Sequence, residues 1–101
     1  MIPIEKVKSI VDTYKTLEKE LASGDINKKD FVKKSKEYSN IGEVINEARG
    51  YINFEKEKNE LEKIINEKDS DKEMIKLAEN ELIQLSKKKE KHENKLRIYL
   101  L

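Results

Sequence analysis

Asp69-Ser70-Asp71-Lys72-Glu73 interrupts two long apolar periodicities, and its reading decides the fold. The stretch is a turn that carries a helix start signal, with Ser70 as N-cap and Glu73 as its reciprocal partner. On its carboxyl side Met74, Leu77, Ala78, Leu82, Leu85, His92, Leu96 and Tyr99 recur at helical spacing and predict a helix over about 71–100. Such a helix is roughly 45 Å long at about 1.5 Å per residue. On its amino side Val44, Ile45, Ala48, Tyr51, Ile52, Phe54, Leu61, Ile64 and Ile65 predict a partner of matching length over about 41–67, with Gly50 tolerated inside it. The link is too short for anything but an antiparallel return. The chain is therefore expected to be all-α, built on a long, coiled-coil-like helical hairpin. Glu55 and Lys58 interrupt one stripe, and Lys88, Lys89 and His92 the other. Polar residues at seam positions weaken a coiled coil. Packing should be firmest where the first helix covers the hairpin, and looser at the free end.

Upstream, Pro3 suits a helix start because its missing N–H would have no partner there. Ile4, Val7, Ile10, Val11, Tyr14, Leu17 and Leu21 form one apolar stripe on a helix over about 3–23. Ser23-Gly24-Asp25 ends it, with Gly24 free to take the left-handed cap conformation. Asn27 is the expected N-cap of a short second helix over about 28–39, with Asp30 in its first turn. Phe31, Val32, Ser35 and Tyr38 mark its expected inner face. Asn40 and Glu43 have the outline of a capping box, and Gly42 lowers helix propensity, so a break or kink is expected near Asn40.

Composition narrows the function. The 101 residues include 22 Lys+Arg, 21 Asp+Glu, one His and no Cys, for a formal net charge of +1. That balance excludes a globally basic nucleic-acid wrapper, though not a local patch. Without cysteine there is neither a disulfide scaffold nor a thiolate metal cage. No apolar run approaches the roughly 20 residues of a membrane span. The start, Met1-Ile2-Pro3-Ile4-Glu5, has neither a signal-peptide core nor an Arg-rich transit character. A cytoplasmic domain is the expectation, with no membrane partner. Near-cancelling charges and regular apolar spacing also weigh against disorder.

Catalytic templates find no support. The single histidine, His92, sits in a lysine-rich helix and reads as a half-exposed helix residue. It cannot make a metal-binding pair of histidines or serve a triad. Gly24, Gly42 and Gly50 stand alone, so no phosphate-cradling loop is present. No catalytic residue, metal, cofactor or small-molecule ligand is therefore expected. Two lysine-rich stretches remain. Lys28, Lys29, Lys33, Lys34 and Lys36 surround Asp30 with a net +4 over residues 28–36. Lys87, Lys88, Lys89, Lys91, Lys95 and Arg97, with Glu90 and Glu93, also give +4 over residues 87–97. These are candidate RNA-backbone contacts, since lysines neutralise phosphates in a salt-dependent way. Neither has an aromatic platform for reading bases.

The order of segments adds a resemblance. Phe31-Val32-Lys33-Lys34-Ser35-Lys36-Glu37-Tyr38-Ser39, the helix start Asp71-Lys72-Glu73-Met74-Ile75-Lys76-Leu77-Ala78-Glu79-Asn80-Glu81-Leu82, and the ending Leu96-Arg97-Ile98-Tyr99-Leu100-Leu101 together resemble the amino-terminal helical domain of bacterial class I peptide chain release factors, of the type that reads UAG and UAA. Lys72 departs from the family's usual Pro, and either residue suits a first helical turn. The resemblance implies a non-catalytic arm near the large-subunit stalk base of the ribosome, beside protein uL11 and its RNA. The family's Pro-x-Thr and Gly-Gly-Gln loops, which read the codon and trigger peptidyl-tRNA hydrolysis, are absent: the one proline is Pro3, and no two glycines are adjacent. Residues 1–101 thus read as a single helical domain of a longer protein. The rival reading is a free-standing helical-hairpin adaptor or chaperone subunit that binds a protein through its apolar seam.

Overall fold

The computed structural model describes residues 1–101 as four helices without strands: α1 (Ile4–Ser23), α2 (Lys28–Gly42), α3 (Ile45–Asn66) and α4 (Lys72–Tyr99). The fold is all-α, and α3 and α4 form the long antiparallel hairpin, which is the most extensive contact in the molecule. Helix α1 lies on α3 and on α2, whereas α2 only grazes α3. The molecule measures 60 × 28 × 19 Å.

Local chemistry sets most of the helix ends. Gly24 closes α1 at φ 75°, a conformation that disfavours any side chain. Asn27 caps α2 by accepting from the Asp30 N–H at 2.9 Å, and its amide donates back to the Asp30 carboxylate at 2.9 Å. At α4 the expected cap shifts by one residue. Asp71, not Ser70, accepts from the Met74 N–H at 2.9 Å. A full carboxylate charge at the positive end of the helix favours the aspartate over the neighbouring hydroxyl. The Ser70–Glu73 box therefore does not form.

The break expected near Asn40 falls later. Helix α2 continues to Gly42, Glu43 and Val44 make the turn, and α3 starts at Ile45 instead of near Ile41. Burial explains the shift. Ile41, Val44 and Ile45 are all buried, and helical backbone through Ile41 is what turns these neighbours to the same core. The Val44 N–H donates to the Ile41 carbonyl at 2.9 Å and tightens the corner.

The core sits at one end of the hairpin. Ile2, Val7, Ile10, Val11 and Leu17 from the amino-terminal segment meet Ile41, Val44, Ile45, Ala48, Tyr51 and Leu96. Beyond Phe54 only Ala78 is buried; Leu61, Ile64, Ile65, Ile75, Leu82 and Leu85 are half-buried. Packing is thus densest where α1 covers the hairpin. Some residues assigned to inner faces lie outside: Phe31 is 45% and Val32 62% exposed, and Met74, Leu77 and Tyr99 are also exposed. The first turn of α2 projects past the core, so Phe31 and Val32 have little to pack on.

Three contacts lock the core end. The Tyr51 hydroxyl accepts from the Ile2 N–H at 3.2 Å and donates to the Ile2 carbonyl at 2.7 Å, fastening the amino terminus to α3. Tyr14 and Tyr38 stack with centroids 4.5 Å apart, and the Arg49 guanidinium lies 5.7 Å from the Tyr14 ring. His92 of α4 packs onto Gly50 of α3 so closely that a Cβ at Gly50 would lie 2.7 Å from its Nε2. Gly50 thus leaves the space that the tip of the His92 ring occupies.

Candidate nucleic-acid interface

The Asn27–Asp30 cap fixes where α2 begins and so fixes the directions of its lysines. At about 100° per residue, Lys29, Lys33 and Lys36 fall at i, i+4 and i+7 on one solvent-facing ridge, with Lys28 beside it. None of these four has a carboxylate within 4.0 Å, and all are exposed. Lys34 points the other way. It bonds and pairs with Glu20 of α1, and that hydrogen bond raises its pKa. Its charge is therefore spent within the fold.

The second stretch divides in the same manner. Lys95 donates to the Glu47 carboxylate at 3.0 Å. Burial pushes Glu47 up, but the Lys95 hydrogen bond, a backbone bond and the charges of Lys95 and His92 outweigh it and hold the carboxyl below its ordinary value. The Lys89 amine sits 4.5 Å from the centre of the Phe54 ring, a cation–π contact. The Arg97 guanidinium donates to the Asn94 side chain at 3.0 Å. That leaves Lys87, Lys88 and Lys91 exposed and unpaired, at i, i+1 and i+4 on one face of α4.

Helices α2 and α4 do not touch, so the two lysine sets form separate patches. On either side of the hairpin turn the sign reverses: residues 55–81 carry ten carboxylates and six lysines, a net −4. The free arm is acidic, and the lysine-rich stretches lie outside it. Sequence reasoning did not find the apolar groove of about 540 Å³ where Met1 and Ile4 face Ile52 and Phe54. Its only signal was the apolar run Met1-Ile2-Pro3-Ile4 ahead of α1. No helix is long and apolar enough to cross a membrane.

Comparison with known proteins identifies a family by sequence. The model of the PCRF domain matches residues 10–101. The chain is 46% identical over 101 residues to peptide chain release factor 1 of Pelagibacter ubique, covering 100% of this chain and 28% of the relative. It is 35% identical over 100 residues to the protein of the same name from Bartonella tribocorum, covering 99% of this chain and 28% of that relative. A third such factor, from Caldicellulosiruptor saccharolyticus, is 33% identical over 100 residues, with 97% of this chain and 28% of the relative covered. The chain thus spans little more than a quarter of these relatives' length. No solved structure matches it. With the family matched over residues 10–101, and this chain aligned over nearly its whole length to part of each relative, the chain belongs to the PCRF domain family of peptide chain release factors.

Proposed function

We propose that this chain is the non-catalytic arm of a cytoplasmic translation termination factor and helps to place that factor on the ribosome. Residues 1–101 act as one helical domain of a longer protein. Other domains recognise UAG or UAA and trigger peptidyl-tRNA hydrolysis. The arm reaches toward the stalk base of the large subunit, where its free lysines meet the RNA backbone beside protein uL11. The observation that carries this reading is the sorting of the basic residues. Lys34, Lys89, Lys95 and Arg97 are engaged within the fold, whereas Lys28, Lys29, Lys33, Lys36, Lys87, Lys88 and Lys91 face solvent with no carboxylate partner. Unpaired lysines gain most from displacing the counterions of phosphates. The acidic residues 55–81 disfavour the same RNA, so the charge pattern also orients the arm.

The test replaces the matching region of the Pelagibacter ubique factor with this chain and follows peptide release at UAG. Lys29→Glu, Lys33→Glu and Lys36→Glu together should raise the factor concentration needed for half-maximal release and leave the maximal rate unchanged. A fall in maximal rate at unchanged half-saturation would contradict a placement role.

A further inference from the structure

The groove at the amino terminus is a second, differently built surface. Ile2 is fixed by both of its backbone bonds to the Tyr51 hydroxyl, at 3.2 and 2.7 Å, so this wall is formed in advance. Met1 and Ile4 flank it and are exposed, and Ile52 and Phe54 of α3 lie opposite. The volume, about 540 Å³, accommodates one or two large apolar side chains. Lys8 from α1 and Lys89 from α4 stand at the rim, and neither has a carboxylate within 4.0 Å. Glu55 is the one acidic residue lining it. The adjoining stretch of α4, residues 87–97, carries a net +4.

We infer that this groove docks an acidic amphipathic peptide segment of a protein partner, with apolar anchors between Ile4 and Ile52 and carboxylates against Lys8 and Lys89. Charge complementarity selects the occupant: an apolar floor beside two ammonium groups, Lys8 free and Lys89 resting on Phe54 without a carboxylate partner, favours a segment that combines Leu- or Ile-like anchors with Asp or Glu. RNA fits poorly. The Phe54 face is already covered by the Lys89 amine, and the Tyr51 ring is buried, so no aromatic platform is open to a base. Preorganisation of the wall by the Ile2–Tyr51 bonds reduces the ordering that binding requires. This surface is separate from the α2 ridge and does not depend on the ribosome-placing role.

The test titrates the isotope-labelled 101-residue chain with a capped helical peptide of about twelve Leu and Glu residues, its leucines at i, i+3, i+4 and i+7. Amide shifts should centre on Ile2, Ile4, Ile52 and Phe54. Ile4→Glu and Lys8→Glu should each weaken binding by about tenfold or more, roughly the worth of one charge-assisted contact. Lys29→Glu, on the remote ridge, should leave it unchanged. Equal weakening by Lys29→Glu, shifts centred elsewhere, or no binding would overturn the inference. So would a single-stranded RNA oligonucleotide that moves the groove amides where the acidic peptide does not. Concentration-dependent shifts of those amides without peptide would assign the groove to a second copy of the chain, and would equally overturn it.

Discussion

Gly50 shows how one absent side chain leaves room for a ring from the neighbouring helix. An alanine in a helix interior is worth roughly 1 kcal/mol over glycine, whereas overpacking a close contact costs about 1–3 kcal/mol. The atoms a Cβ would meet all belong to the tip of the half-buried His92 side chain, which can turn aside, so the two effects should largely offset each other. Gly50→Ala should therefore change stability by less than about 1 kcal/mol in urea unfolding. In a His92→Ala background the same change should stabilise the protein by about 1 kcal/mol, and the difference between the two backgrounds measures what moving His92 costs. Tyr38 offers a test by pH. The Tyr14 hydroxyl beside it, then burial and the charge of Glu18, push its phenol up to about 12. A raised phenol keeps its neutral form in the folded state. Its contribution to stability is full below the ordinary tyrosine value near 10, and is lost as pH rises through about 12. Tyr38→Phe should remove that alkaline loss, which unfolding midpoints measured between neutral pH and about 12 will show.

Elements were legible from sequence where the deciding interaction is local. The Asn27 cap, the Gly24 stop and the hairpin return depend on residues within a turn of one another, and each holds. Where two capping residues adjoin, as at Ser70 and Asp71, spacing alone did not choose, and charge at the helix end did. Asp71→Ala should accordingly cost about 0.5–2 kcal/mol in thermal or chemical unfolding, and Ser70→Ala within about 0.5 kcal/mol of nothing. The corner after α2 was misplaced because tertiary burial of Ile41 outweighed the local signal of Asn40 and Glu43. The exposure of Phe31 and Val32 has a similar origin: their helical phase does not reveal that α2 begins beyond the core.

At the scale of the molecule, a core gathered at one end supports a long polar hairpin within a 60 Å body. The candidate interface was only half legible. Composition located both lysine stretches, but Glu20, Phe54 and Glu47, which engage Lys34, Lys89 and Lys95, are 14 or more residues away in the chain. Folding alone separates the free lysines from the engaged ones. That division gives the most direct test, an association measurement with large ribosomal subunits over a range of salt. Reversing Lys87, Lys88 and Lys91 to Glu should weaken association and flatten its salt dependence by on the order of one phosphate contact per lysine. Lys34→Met, which removes a charge already paired with Glu20, should leave the slope as it was. Equal slopes in all three proteins, unsubstituted, reversed and Lys34→Met, would contradict a phosphate-binding role for the free lysines.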